Sequence, residues 1–158
     1  MKIEKGKLAI SIAIPLIVGA VAGLANSGGM QMFAELEKPS LSPPGWLFPV
    51  VWTILYALMG ISSYLVWTAT DASQGEKQRA LRTYAIQLVV IFLWSFLFFG
   101  LEWYLAAFFW QLLLWYLILT MIRQFAAISP LAAKLNIPYL IWVTFAGYLN
   151  LGIWWLNR

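Results

Sequence analysis

The sequence predicts an all-α integral membrane protein, a single bundle of five transmembrane helices over residues 1–158 with a long first loop as a lid. Three observations predict it. Only 10% of the 158 residues are charged while 63% are hydrophobic, against roughly 25% charged in soluble domains. The mean hydropathy is +0.81. So few charges cannot cover a water-soluble particle of this size, so lipid must solvate much of its surface. Five windows without a single Asp, Glu, Lys or Arg approach the roughly 20 apolar residues that cross a bilayer core. Lys and Arg then alternate between the two sides that five crossings create.

The first window covers residues 8–24, with Pro15 inside. Lys2, Lys5 and Lys7 precede it, as in a signal peptide, but no small-x-small cleavage site leads into a soluble domain. The second window covers residues 46–69. Ser42 before Pro43 and Pro44 reads as the cap of its helix. Residues 84–101 and 104–122 form the third and fourth windows, and the tight link at 100–103 makes them antiparallel neighbours. The fifth covers residues 137–156, after a loop that holds Ser129-Pro130.

Eight of the ten basic residues fall on one side: Lys2, Lys5, Lys7, Lys77, Arg79, Arg82, Arg123 and Lys134. Only Lys38 and Arg158 fall on the other. The positive-inside rule places the N-terminus in the cytoplasm and the C-terminus outside a bacterial-type cell membrane. The net charge of +4 is therefore a topology signal and not a nucleic-acid footprint.

The chain has no Cys and no His, which excludes disulfides, thiolate metal sites, thiol catalysis and the usual proton carrier near neutral pH. No metal site and no required cofactor are expected. No carboxylate lies inside a window, which disfavours proton-coupled transport.

The first loop, residues 25–45, runs about 20 residues, and a loop of that length is usually functional. Lys38, Pro39, Ser40, Pro43 and Pro44 make its second half the expected lid over a pocket. On the second helix Trp52, Tyr56, Met59, Ser63 and Trp67 recur at helical spacing and share a face. Gln87, Trp94 and Phe98 do so on the third, and Trp142, Phe145, Ala146, Leu149, Asn150 and Ile153 on the fifth. Converging, these faces would form an indole-walled slot suited to a small flat hydrophobic ligand. Gln87 and Asn150 fit equally well as hydrogen-bonding glue between helices. Gly19 and Gly23 let another helix come close, either thinning a pocket wall or forming a dimer seam. Trp46, Trp67, Trp103, Tyr104, Trp154 and Trp155 stand at span ends and read as interfacial anchors.

The run Leu36-Glu37-Lys38-Pro39-Ser40-Leu41-Ser42-Pro43-Pro44-Gly45-Trp46 and the run from Pro138-Tyr139 through Trp142, Phe145-Ala146-Gly147-Tyr148 to Asn150 resemble the TspO/MBR family of tryptophan-rich sensory and translocator proteins. The resemblance covers nearly the whole chain. It implies a five-helix bundle, often a homodimer, that binds protoporphyrin IX or related tetrapyrroles as a receptor or sensor. The ligand residues it implies are Phe48, Trp52, Tyr56, Gln87, Trp94, Trp142, Phe145, Ala146, Leu149 and Asn150, with Gly19 and Gly23. Without His or Cys, haem would have only Tyr or Met as axial ligands, so a metal-free macrocycle is expected. Alternatives are photo-oxidative porphyrin breakdown, with Trp52 and Trp142 as the participating indoles, and passive transport of tetrapyrroles or lipids. The chain departs from the family pattern at Met32-Phe33, Leu41, Ile91, Trp110 and Leu151, the last removing support for sterol binding.

Overall fold

A computed structural model describes residues 2–158. Seven α-helices follow in order, α1 Lys5–Ala25, α2 Gly29–Glu35, α3 Leu47–Trp67, α4 Gln74–Ser95, α5 Tyr104–Ile128, α6 Pro130–Leu135 and α7 Ile137–Leu156. No strand occurs among the described residues. Five helical segments are long and apolar enough to cross a membrane: α1, α3, α4 with the turn that follows it, α5, and α6 with α7. At 1.5 Å per residue even a 21-residue helix spans roughly 30 Å, the thickness of a bilayer core. The protein is an integral membrane helix bundle.

The structure differs from the sequence expectation at several ends. Helix α4 begins at Gln74, well before residue 84, because Ser73 and Glu76 form a capping box: the Ser73 hydroxyl accepts the Glu76 amide at 3.2 Å and the Glu76 carboxylate accepts the Ser73 amide at 2.9 Å. Its first turns are polar and carry no membrane signal. At its other end the helix widens into a π-turn over Phe96–Gly100, closed by the Leu101 amide on the Phe96 carbonyl at 2.8 Å. Helix α5 continues past 122 to Ile128, and Ser129 then caps α6 through the Ala132 amide at 3.3 Å. Ser42 does not cap α3. Trp46 holds that position with no side-chain cap, and the Ser42 hydroxyl is buried without a partner. The first loop contains α2, which the sequence pattern did not reveal.

The core lies in the half of the bundle remote from the first loop, where Met59, Leu114, Ile118, Met121 and Phe125 are fully buried. There α1 and α3 touch backbone to backbone: a Cβ on Gly60 would stand 2.5 Å from the Ile12 Cα. Polar side chains tie the same layer together. Tyr139 donates to the Gln87 amide oxygen at 2.7 Å. Asn136 donates to Ser62 at 2.8 Å, and Gln111 to the Val143 carbonyl at 2.9 Å. In lipid, such bonds between helices typically contribute about 0.6 kcal/mol each.

Candidate functional site

The half beneath the first loop is hollow. A cavity of about 780 Å³ lies between α1, α2, α3, α4 and α7, within the range of about 300–1,000 Å³ for small-molecule sites. Its α3 wall is Phe48, Pro49, Trp52, Thr53 and Tyr56. Its α4 wall is Ile91, Trp94 and Ser95, continued by Phe98 and Phe99 of the π-turn, whose wider winding leaves Phe98 buried. Helix α7 contributes Trp142, Ala146, Leu149, Asn150 and Ile153, and α1 contributes Leu16, Gly19, Ala20, Ala22, Gly23 and Leu24.

The rings interlock. Trp52 lies 5.6 Å from Tyr56 and 6.2 Å, edge-on, from Tyr139. Phe48 meets Trp142 edge-on at 5.8 Å, and Trp94 stacks on Phe98 at 5.1 Å. Aromatic pairs of this kind contribute about 0.5–1.5 kcal/mol beyond area burial and hold the walls in one arrangement.

No charged side chain lines the cavity. Most of its polar groups are already engaged. Asn150 accepts the Trp94 indole N–H at 3.2 Å and donates to the Tyr104 carbonyl at 2.7 Å, so it is both wall and interhelical tie. Thr53 donates to the Pro49 carbonyl, Ser95 to the Phe92 carbonyl, and Asn26 to Ser95. The Trp142 indole N–H is buried without an acceptor. A buried donor left unpaired costs about 1–3 kcal/mol.

Of the expected ligand residues, the structure brings Gly19, Gly23, Phe48, Trp52, Tyr56, Trp94, Trp142, Ala146, Leu149 and Asn150 to this cavity. It does not bring Gln87 or Phe145. Gln87 sits deeper, fully buried against Tyr139 and Met59, as glue between α3, α4 and α7. Phe145 packs against Trp142 and Tyr148 behind the wall. The two glycines also differ. A Cβ on Gly19 would stand 2.4 Å from the Tyr56 ring, whereas one on Gly23 would meet nothing within 4 Å.

The lid expectation needs a larger correction. Lys38, Pro39, Ser40, Pro43 and Pro44 do not line the cavity. Its cover is α2, through Met30 and Phe33, with Phe33 edge-on to Phe48 at 5.3 Å and Lys38 5.0 Å above the Phe33 ring. The segment after α2 is a strap fastened along α7. Asn157 accepts the Glu37 amide at 3.1 Å and donates to the Glu37 carbonyl at 2.8 Å. Tyr148 donates to the Ser40 carbonyl at 2.8 Å. Pro39 lies so close to Gly152 that a Cβ there would stand 2.7 Å from its ring. Tyr148 and Gly152 stand one turn apart on α7 and Asn157 caps its end, but no pattern in the sequence marks them as strap contacts.

Sequence comparison with known proteins points to one family. The model of the TspO/MBR family matches residues 11–156. A "Tryptophan-rich protein TspO" of Chlorobaculum tepidum is 40% identical over 151 residues, 95% of each chain. "Protein CrtK" of Rhodobacter capsulatus is 37% identical over 140 residues, covering 88% of this chain and 85% of that one. The human "Translocator protein" is 36% identical over 135 residues, covering 80% and 75%.

Proposed function

The chain belongs to the TspO/MBR family, and we propose that it is a membrane receptor or sensor binding protoporphyrin IX-like tetrapyrroles, and similar flat hydrophobic ligands, in the cavity under α2. The observation that carries this reading is the cavity itself: about 780 Å³, uncharged, and walled by Phe48, Trp52, Trp94, Phe98 and Trp142. A conjugated macrocycle gains from such a slot because its faces stack on rings already held in place, at little cost in side-chain entropy. Relatives named as tryptophan-rich sensory and translocator proteins support a sensory or regulatory role. With no His or Cys in the chain, the reading favours the metal-free ring. The expected setting is a cell membrane with the N-terminus cytoplasmic and the chain paired as a homodimer.

Titration with protoporphyrin IX tests this. The wall indoles lie within contact distance of any bound ring, so saturable quenching of tryptophan emission is expected, weakened in Trp142→Phe. Unquenched emission would remove the reading. A second reading, light- and oxygen-dependent breakdown of the bound porphyrin, draws on the presence of both Trp52 and Trp142 on the wall. Illuminating the complex in air distinguishes the two. Equal bleaching by wild type and Trp142→Phe counts against a chemical role for that indole.

A further inference from the structure

The cavity is covered by α2 where the first loop lies, and it opens on the flank between α1 and α3. On the loop side α2 covers it, and the strap holds α2 through Asn157, Tyr148 and the Pro39–Gly152 contact. On its flank, Ala20 and Gly23 of α1 face Pro49 and Thr53 of α3, and all four both line the cavity and are exposed. The gap has a structural cause. Helices α1 and α3 are in close contact at Ile12–Gly60 and again at Gly19–Tyr56, but one turn further the Gly23 side has no atom within 4 Å of a Cβ position. The two helices therefore diverge toward the loop. The rim is apolar: Val21 and Leu24 on α1, Val50 and Ile54 on α3, each with about half or more of its surface exposed. In a membrane, acyl chains and not water meet such a rim.

We propose that ligands reach the cavity sideways from the bilayer, through this slot between α1 and α3, while the strapped cover stays shut. The lining fits that route for the macrocycle itself, since it is apolar and uncharged, while the two propionates of a protoporphyrin stay outside at the rim, where they keep their hydration. A hydrophobic ring already dissolved in lipid has shed its water and can slide in edge-on past Gly23, where no side chain stands. The proposal rests on the ligand-binding reading of the cavity and adds the path and the phase from which the ligand comes.

The test uses the full chain in phospholipid vesicles, with protoporphyrin IX as probe and stopped-flow tryptophan quenching as readout. Gly23→Leu and, from the facing helix, Thr53→Leu place a branched side chain in the slot, and neither position is packed against a neighbour that must move. Asn157→Ala loosens the strap instead. A slot that carries the traffic predicts that association slows in both leucine variants by about tenfold, equivalent to about 1.4 kcal/mol on the barrier, whatever their equilibrium affinity. Asn157→Ala should keep the wild-type rates. Wild-type rates in either leucine variant, or faster association in Asn157→Ala, would overturn the sideways route. Absence of equilibrium quenching in the wild type would overturn the ligand reading itself, and the route with it.

Discussion

The two halves of this bundle are built from the same five crossings but to opposite ends. In the half remote from the first loop, α1 and α3 touch through Gly60, and Tyr139, Gln87, Asn136 and Ser62 hydrogen-bond across helices in a closely packed layer. In the half beneath the loop, the same helices part around about 780 Å³ of aromatic-walled space. The difference teaches how a protein with little polar chemistry can hold an open site in lipid. Lipid tails are as apolar as the side chains, so no hydrophobic force squeezes the helices together there. Close glycine packing and hydrogen bonds hold one end, and the walls above it stay apart because interlocked rings brace them.

The comparison is most sharply broken by making one substitution in both halves. Gly60→Leu drives a side chain into the α1 backbone at Ile12 and Ser11, which cannot yield. Overpacking costs typically about 1–3 kcal/mol, and a backbone clash lies at or above the top of that range. The expected outcome is loss of folded protein, read as a collapsed thermal transition in detergent. Gly23→Leu, in the open half, should keep a near-wild-type transition. Equal losses in the two would mean that the halves are packed alike. Next in size is Tyr139→Phe, which removes the 2.7 Å bond and leaves the buried Gln87 oxygen without its donor. A loss of about 1–2 kcal/mol is expected, with protoporphyrin affinity little changed because neither residue lines the cavity. A larger effect on affinity than on stability would show that the tied layer is part of the site.

How much of this was legible in sequence divides along the same line. The five crossings were legible because a bilayer demands apolar length, and each window met that demand. The capped start of α4 at Gln74 was not, since its polar turns lie outside the signal that lipid imposes. On the walls, helical spacing set the face on which Trp52, Tyr56, Trp94, Trp142 and Asn150 stand, but not depth. Gln87 shares its stripe with Trp94 yet sits two turns deeper, among the tied layer, and Phe145 lies at the edge of a stripe wider than the cavity. The strap was read as a lid from the length of the loop and its prolines. Its fastenings lie 108 and 120 residues away, at Tyr148 and Asn157, and nothing local announces a partner at that distance. Phe33, the ring that covers the site, was hidden for a similar reason: α2 is a seven-residue helix inside what reads as loop.

The strap offers a gentler probe of the open half. Asn157→Ala removes both bonds to the Glu37 backbone, at a position exposed to solvent. Hydrogen bonds at such sites contribute about 0.5–1.5 kcal/mol each net, and Tyr148 and Pro39 keep their contacts. A loss of about 1 kcal/mol is therefore expected, confined to the loop: amide exchange over residues 29–40 should quicken while α3 and α4 keep their protection. Quickened exchange in α4 as well would mean that the strap supports the whole bundle and not the cover alone.

The smallest effect has the opposite sign. Leu41 adopts a left-handed backbone, with φ of 69°, and its side chain is 82% exposed. That conformation costs a residue with a Cβ about 1–2 kcal/mol, and the exposed leucine gains little packing in return. Glycine takes the same conformation without strain but loses roughly 0.5–1 kcal/mol more chain entropy on folding. The two nearly offset, leaving Leu41→Gly a net gain of a few tenths of a kcal/mol, up to about 1. It should raise the protection of the Glu37 and Ser40 region without moving the thermal transition of the tied half. A fall in that protection would mean that Leu41 is held by contacts with the bilayer, and that the strap, like the cavity flank, is a surface shaped for lipid.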